Sequence, residues 1–137
     1  MKFLLLIGLL SCGAAGCAHI DLTPAGDPMR VLAGEVRLSD GRDLPADAVV
    51  TVRVVDSALV GQAPTVYGTQ TITAAGPGPI PYRVEYTAED ELLRHGLNVE
   101  VRVSFGGRVR YYNVNKHAVT LSTVSDTHVI TVDPTRP

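Results

Sequence analysis

One stretch limits the fold more than any other: Leu44-Pro45-Ala46-Asp47-Ala48-Val49-Val50-Thr51-Val52-Arg53-Val54-Val55-Asp56. From Ala48 onward the residue type repeats at every second position. Ala48, Val50, Val52 and Val54 share one face, and Val49, Thr51, Arg53 and Val55 share the other. β-Branched residues at period two describe a pleated strand, because successive side chains point to opposite sides. The first face is wholly apolar, and Val49 and Val55 imply partial cover for the second. This segment is expected to be a central strand of an all-β domain.

The remaining chain supplies partners for it. Met29 to Leu38 alternates Leu32, Gly34, Val36 and Leu38 with Val31, Ala33, Glu35 and Arg37, and ends at an Asp40-Gly41 turn. Val66 to Ala74 reads as a weaker strand, interrupted by Gly68, with Thr69, Thr71 and Thr73 on one side. Ile80 to Thr87 puts Ile80, Tyr82, Val84 and Tyr86 on one face, and Pro81 points to an edge position or to a strand that begins just after it. Thr87 to Gly96 is the one helical signal. Thr87 can cap, Glu89, Asp90 and Glu91 suit the positive end of the helix dipole, Arg94 and His95 suit the negative end, and Gly96 stops it.

Leu97 to Phe105 alternates Leu97, Val99, Val101, Val103 and Phe105 with Asn98, Glu100, Arg102 and Ser104. Gly106-Gly107 then marks a hairpin. A two-residue loop would set Phe105 against Arg108, Val103 against Arg110 and Val101 against Tyr112. A three-residue loop would bring Val109 and Tyr111 to the Val103 face instead. The second register buries more apolar surface and is preferred, although it turns Asn113 and Asn115 inward unless a bulge near Tyr111-Tyr112 resets the phase. Ala118 to Val124 and Thr127 to Asp133 complete the set. Seven to eight strands with one short helix predict a β-sandwich, immunoglobulin-like or of a similar Greek-key build. Val50, Val52, Val54, Val99, Val101 and Val103 are its expected core.

The first residues do not belong to this domain. Met1-Lys2 gives a positive start, Phe3 to Leu10 an apolar run, and Ser11, Gly13, Ala14, Ala15 and Gly16 a small-residue zone. That order predicts a secretory signal over residues 1–16, too short to span a bilayer. Both cysteines lie at its end. Ala14-Ala15-Gly16-Cys17 and Leu9-Leu10-Ser11-Cys12 both match the small-residue box that precedes a lipidated cysteine. Cutting before Cys12 would leave an unusually short signal, so Cys17 is the expected lipidation site and Cys12 the alternative. A mature chain starting at Cys17 has no second thiol, which excludes a disulfide and cysteine metal sites. Residues 17–28 then form a tether rich in Pro and Gly. The β domain spans 29–133, and 134–137 is a tail. Ala18 in place of Asp fits the sorting of lipoproteins to the outer membrane, on its periplasmic face.

Little chemistry is on offer. Among the charges the leader removes only Lys2, leaving 11 basic against 14 acidic residues, and no basic stripe interleaved with aromatics marks a nucleic-acid partner. His19, His95, His117 and His128 form no ligand-spaced pair and are expected on the surface or in loops. No nucleophile elbow, no phosphate-binding glycine loop and no catalytic cysteine is present. The chain reads as a non-enzyme without catalytic, cofactor-binding or metal-binding residues. Glu35, Arg37, Arg53, Glu100 and Arg102 sit on outward faces, where cross-strand pairing alone accounts for them.

The order Val31-x-x-Gly34-x-Val36, then Leu44-Pro45-x-x-Ala48-x-Val50-x-Val52, then Asp56-Ser57 resembles the YbaY/YscW family, the type III secretion lipoprotein chaperone domain. Pro79-Ile80-Pro81-Tyr82-x-Val84-x-Tyr86, Leu97-x-Val99-x-Val101-x-Val103 and Gly107-x-Val109-x-Tyr111 fit the second half. The resemblance implies an outer-membrane lipoprotein with a β-sandwich. Some family members are pilotins, which guide a secretin to the outer membrane, and many others are uncharacterised envelope lipoproteins. The implied partners are therefore the membrane, through the lipid, and a secretin or another envelope protein. The competing expectation is a structural or stress-related lipoprotein with no dedicated client and an evenly polar surface.

Overall fold

A computed structural model describes residues 29–56 and 61–136. Eight strands and one short helix follow in the order β1 (Met29–Leu38), β2 (Val49–Asp56), β3 (Thr65–Thr73), β4 (Ile80–Thr87), α1 (Asp90–His95), β5 (Leu97–Phe105), β6 (Arg108–Tyr112), β7 (His117–Val119) and β8 (Thr127–Pro134). The strands alternate as expected. Ala48, Val50, Val52 and Val54 point inward, as do Val99, Val101 and Val103, and each is almost or wholly excluded from solvent. Val50 pairs with Val103, Val52 with Val101 and Val54 with Val99, so a valine layer runs across β2 and β5. A bulge opposite Val54 and Val55 leaves Tyr67 of β3 unpaired, and Val55, on the other face of β2, is buried outside the main core cluster.

The architecture corrects the sandwich expectation. The strands form one hydrogen-bonded path, β3-β2-β5-β6-β8-β1-β4, with β7 added to β5. The joint is β8. Its first part, Thr127 to Val132, runs parallel to β1, and its end, Asp133 and Pro134, pairs with Tyr112 and Tyr111 of β6. This strand stitches together the two halves that would otherwise be separate sheets. The two ends of the path, β3 and β4, lie side by side, which makes the sheet barrel-like and not a clear immunoglobulin-like sandwich.

Two glycines permit that curvature. At Gly68, a Cβ would come within 2.5 Å of the Glu85 carbonyl oxygen and 2.7 Å of Tyr86 Cβ, so β3 can meet β4 only where a side chain is missing. At Gly34, a Cβ would lie 1.7 Å from the His128 carbonyl oxygen, so β1 and β8 could not approach. Gln70 completes the seam by accepting the Arg83 backbone N–H through Oε1 at 2.6 Å. Inside, the Tyr82 hydroxyl donates to the His128 carbonyl at 2.8 Å, while the Tyr86 hydroxyl is buried without a partner. Burial pushes both phenols above the ordinary tyrosine range.

The β5–β6 hairpin combines features of both registers considered from sequence. Its loop is the two-residue Gly106-Gly107, with both φ angles positive and Phe105 opposite Arg108. A bulge follows at once, so that Ser104 faces Val109 and Val103 faces Tyr111. The preferred three-residue loop is thus replaced by a shorter loop plus the phase reset. Tyr111 still reaches the core. Beyond Tyr112, Asn113 accepts the Val101 N–H through Oδ1 and donates Nδ2 to the Val99 carbonyl, standing in for a strand along the β5 edge. β7 is shorter than expected. Thr120 and Thr123 bond to each other through backbone and hydroxyl groups, and this polar turn ends the ladder.

Candidate functional site

α1 and the end of β4 form one pole of the barrel. The helix is shorter than Thr87 to Gly96: Thr87 belongs to β4, and Glu89 is the N-cap without a side-chain bond. Asp90 and Glu91 lie in the first turn, and Arg94 and His95 lie in the last. Gly96 ends the helix, its N–H bonding to the carbonyls of Leu92 and Leu93. Leu93 is wholly buried and pins the helix, while its carbonyl accepts the Leu121 N–H. Arg30 fastens the other side, donating Nε to the Ala88 carbonyl at 3.0 Å and pairing with Asp90.

Between this helix and β3 runs a groove of about 470 Å³. Tyr67, Ala88 and Leu92 form an apolar floor, and Thr87, Glu89, Glu91 and His95 line the rest. Arg94 stands 3.5 Å from Glu91 on the helix surface. Met29, more than half exposed, pairs with Thr87, so the start of β1 lies beside the groove. An apolar floor with charged sides suits a segment that is apolar on one face and polar on the other.

The histidines do not all lie on the surface, as the sequence reading held. His128 is buried, and its Nδ1 lies 2.8 Å from His117 Nε2. The rings meet edge-on, with centroids 5.0 Å apart. His128 Nε2 faces the Thr123 carbonyl at 2.9 Å. That carbonyl can only accept, which fixes the proton on His128 Nε2 and makes its Nδ1 the acceptor for His117 Nε2–H. The signal was present in the period of two, since His128, Ile130 and Val132 share the inward parity of β8.

Burial, and then the adjacent His128 ring, hold the His117 imidazole below the ordinary histidine range. The unfolded chain then binds a proton more readily than the folded one. Stability is therefore retained above the unfolded value of about 6.5 and lost as pH falls through that value toward the lower folded one. We expect the melting temperature to drop from neutral pH to about pH 5. His117→Gln should flatten that part of the profile, and an equal slope in both proteins would show that His117 does not titrate with folding.

Cys17, its alternative Cys12 and His19 lie outside the described residues. Among the described residues no group of three or more His, Cys, Asp or Glu is placed to hold a metal. No described helix is long and apolar enough to cross a membrane. The three acids near α1 divide: Asp90 pairs with Arg30, Glu91 stands near Arg94, and Glu89 lines the groove. The groove itself was not legible, because Tyr67 and Leu92 are brought together by the curl of the sheet.

No curated protein matches the chain. A solved structure, of an alternative pilotin from the type II secretion system of Vibrio cholerae, is similar at a TM-score of 0.68 and 19% identity. The match covers 80% of this chain and 99% of that one, and likeness at this identity speaks for the fold. A protein-family model described as type III secretion system lipoprotein chaperone (YscW) matches residues 27–132, from just before β1 into β8. The chain belongs to the YscW family of type III secretion system lipoprotein chaperones.

Proposed function

We propose that this protein is a lipid-anchored, pilotin-type chaperone that holds a segment of a secretin at the periplasmic face of the outer membrane. The observation that carries the reading is the family match across the whole β domain. The similarity in fold to a type II secretion pilotin supports it. The α1 groove is the part of the surface suited to an amphipathic client segment, with Tyr67, Ala88 and Leu92 as its apolar floor. It performs no covalent chemistry. The role is to cover an apolar segment of the client and keep it near the membrane.

Position follows from the anchor. Lipid on Cys17, with a further acyl chain on the freed amine, supplies more than the two signals that stable membrane attachment requires. A tether over 17–28 of coil-like reach sets the domain roughly 15–20 Å from the headgroups. The groove opens beside Met29, where that tether joins, so a bound segment would sit on the membrane side of the barrel.

The test is deletion of the gene, followed by measurement of secretin multimers in outer-membrane fractions. Multimers are expected to fall sharply and to be restored by the wild-type gene. Cys17→Ser should give a protein released from the membrane, or an uncut precursor, that does not restore them. Cys12→Ser should restore them and keep its fatty-acid label. Multimers unchanged in amount and location after deletion would sink the chaperone role. A label lost with Cys12→Ser and kept with Cys17→Ser would move the anchor to Cys12.

A further inference from the structure

The pole opposite α1 carries a different chemistry. It is built from the turn after β1, the β5–β6 hairpin and the end of β8, which enclose a pocket of about 450 Å³. Arg42, Arg108, Arg110 and Arg136 line it, against a single carboxylate, Asp40. The chain as a whole is acidic, so this is a local reversal of sign.

Elsewhere most cations are matched, with Arg102 and Lys116 the exceptions among the described residues. Arg30, Arg37, Arg53, Arg83 and Arg94 each have a carboxylate partner. At this pole only Arg42 has one, loosely, at 3.8 Å from Asp40. Arg108, Arg110 and Arg136 have none among the described residues. Asp40 is itself occupied, because its oxygens accept the Tyr111 hydroxyl at 2.8 Å and the Arg42 backbone N–H at 3.1 Å. Slight burial alone would raise its carboxyl. The Arg42 N–H, the Tyr111 hydroxyl and the Arg42 guanidinium outweigh that and hold it below the ordinary aspartate range.

The arginines are placed by the fold. Arg110 donates Nε to the Phe105 carbonyl at 3.2 Å and lies over the Phe105 ring, 5.2 Å from its centroid. Its terminal nitrogens pass over Gly106, where a Cβ would come within 3.0 Å of Nη2. Arg136 is held at the rim because Thr135 donates its N–H to the Arg110 carbonyl at 2.8 Å and its hydroxyl to the Val109 carbonyl at 3.1 Å. Phe105, Val109, Tyr111 and Pro134 line the same pocket, with Val109 exposed.

From this arrangement we infer that the pole opposite α1 is a docking site for an acidic protein segment that carries an apolar side chain between its carboxylates. Arginine forks recognise carboxylates in pairs, and a pre-placed fork loses less freedom on binding. The apolar floor accepts the intervening side chain. Met29 lies at the other end of β1 from this pocket, so the pole faces away from where an N-terminal anchor holds the domain, and an anionic membrane surface fits it less well. The site does not depend on the α1 groove or on the client being a secretin.

The probe is a synthetic peptide of four glutamates flanking a central leucine-phenylalanine pair. It is titrated against the full chain in a nonionic detergent by calorimetry or fluorescence anisotropy. The wild-type chain is expected to bind it, with affinity falling as salt is raised. Arg108→Glu with Arg136→Glu, both exposed and outside the core, should weaken binding by roughly tenfold or more without moving the melting temperature. Arg110→Lys, which keeps the charge but not the fork, should weaken it less. The same peptide with lysine for glutamate should not bind. Absence of wild-type binding, equal binding by the charge-reversed variant, or capture of anionic phosphatidylglycerol vesicles in place of the peptide would each overturn the inference. None of these outcomes bears on secretin multimers, so the two readings fail separately.

Discussion

Val52→Asp is expected to leave the chain unfolded. Val52 has no solvent exposure and pairs with Val101 in the layer formed by β2 and β5. On the other side its neighbour is Gln70, whose Oε1 is already engaged with the Arg83 N–H. A carboxylate there would lie within a valine layer. It would either remain charged without a partner or take up a proton at a strongly raised pKa, and either route costs several kcal/mol. The whole stability of a domain this size is about 5–15 kcal/mol, so little or none would be left. Circular dichroism and a thermal melt check this. A cooperative transition at the wild-type temperature would show that Val52 does not face the core.

Gly34→Ala should be nearly as damaging, although it adds one methyl group. The added Cβ would fall 1.7 Å from the His128 carbonyl oxygen, 2.6 Å from its carbon and 2.9 Å from its nitrogen. All three atoms are backbone, so no rotamer change relieves the clash. β1 and β8 must separate over the stretch where Gly34 pairs with His128 and Val36 with Ile130. The Tyr82 hydroxyl, which donates to that same carbonyl, would lose its bond. Overpacking ordinarily costs about 1–3 kcal/mol, and a contact against rigid backbone belongs at the top of that range or above it. Urea unfolding gives the value. Gly41→Ala is a control for a glycine with open space around it, where only the positive φ is penalised.

The individual strands were legible because burial on one side writes itself into the sequence at period two. β1, β4 and β5 begin and end where the alternation of Met29–Leu38, Ile80–Thr87 and Leu97–Phe105 says they should. How the strands close was not legible. Period two gives faces but not neighbours. Gly68 looked like a weakness in β3, yet it is where β3 meets β4. Thr87 looked like a cap, but pairing with Met29 draws it into β4. The bulge after Gly106-Gly107 satisfies the apolar phase of Tyr111 and the short glycine turn together, a solution that neither simple register contained. The arginine pole is assembled from positions distant in sequence, Arg42, Arg108, Arg110 and Arg136. No local spacing announces it.

The double pairing of β8 also sets an order of events. β1 forms early in synthesis and can join β4 as soon as that strand emerges, but its other edge has only β8 to pair with. β6 waits for the same strand at Tyr111 and Tyr112. No strand ladder therefore joins β6 to β1 until the final strand in chain order arrives and pairs with both edges. Contacts so far apart along the chain carry a loop-closure cost before they return any stability, which slows folding. Truncation before Thr127 should remove the locking step and leave an open, aggregation-prone edge on β1.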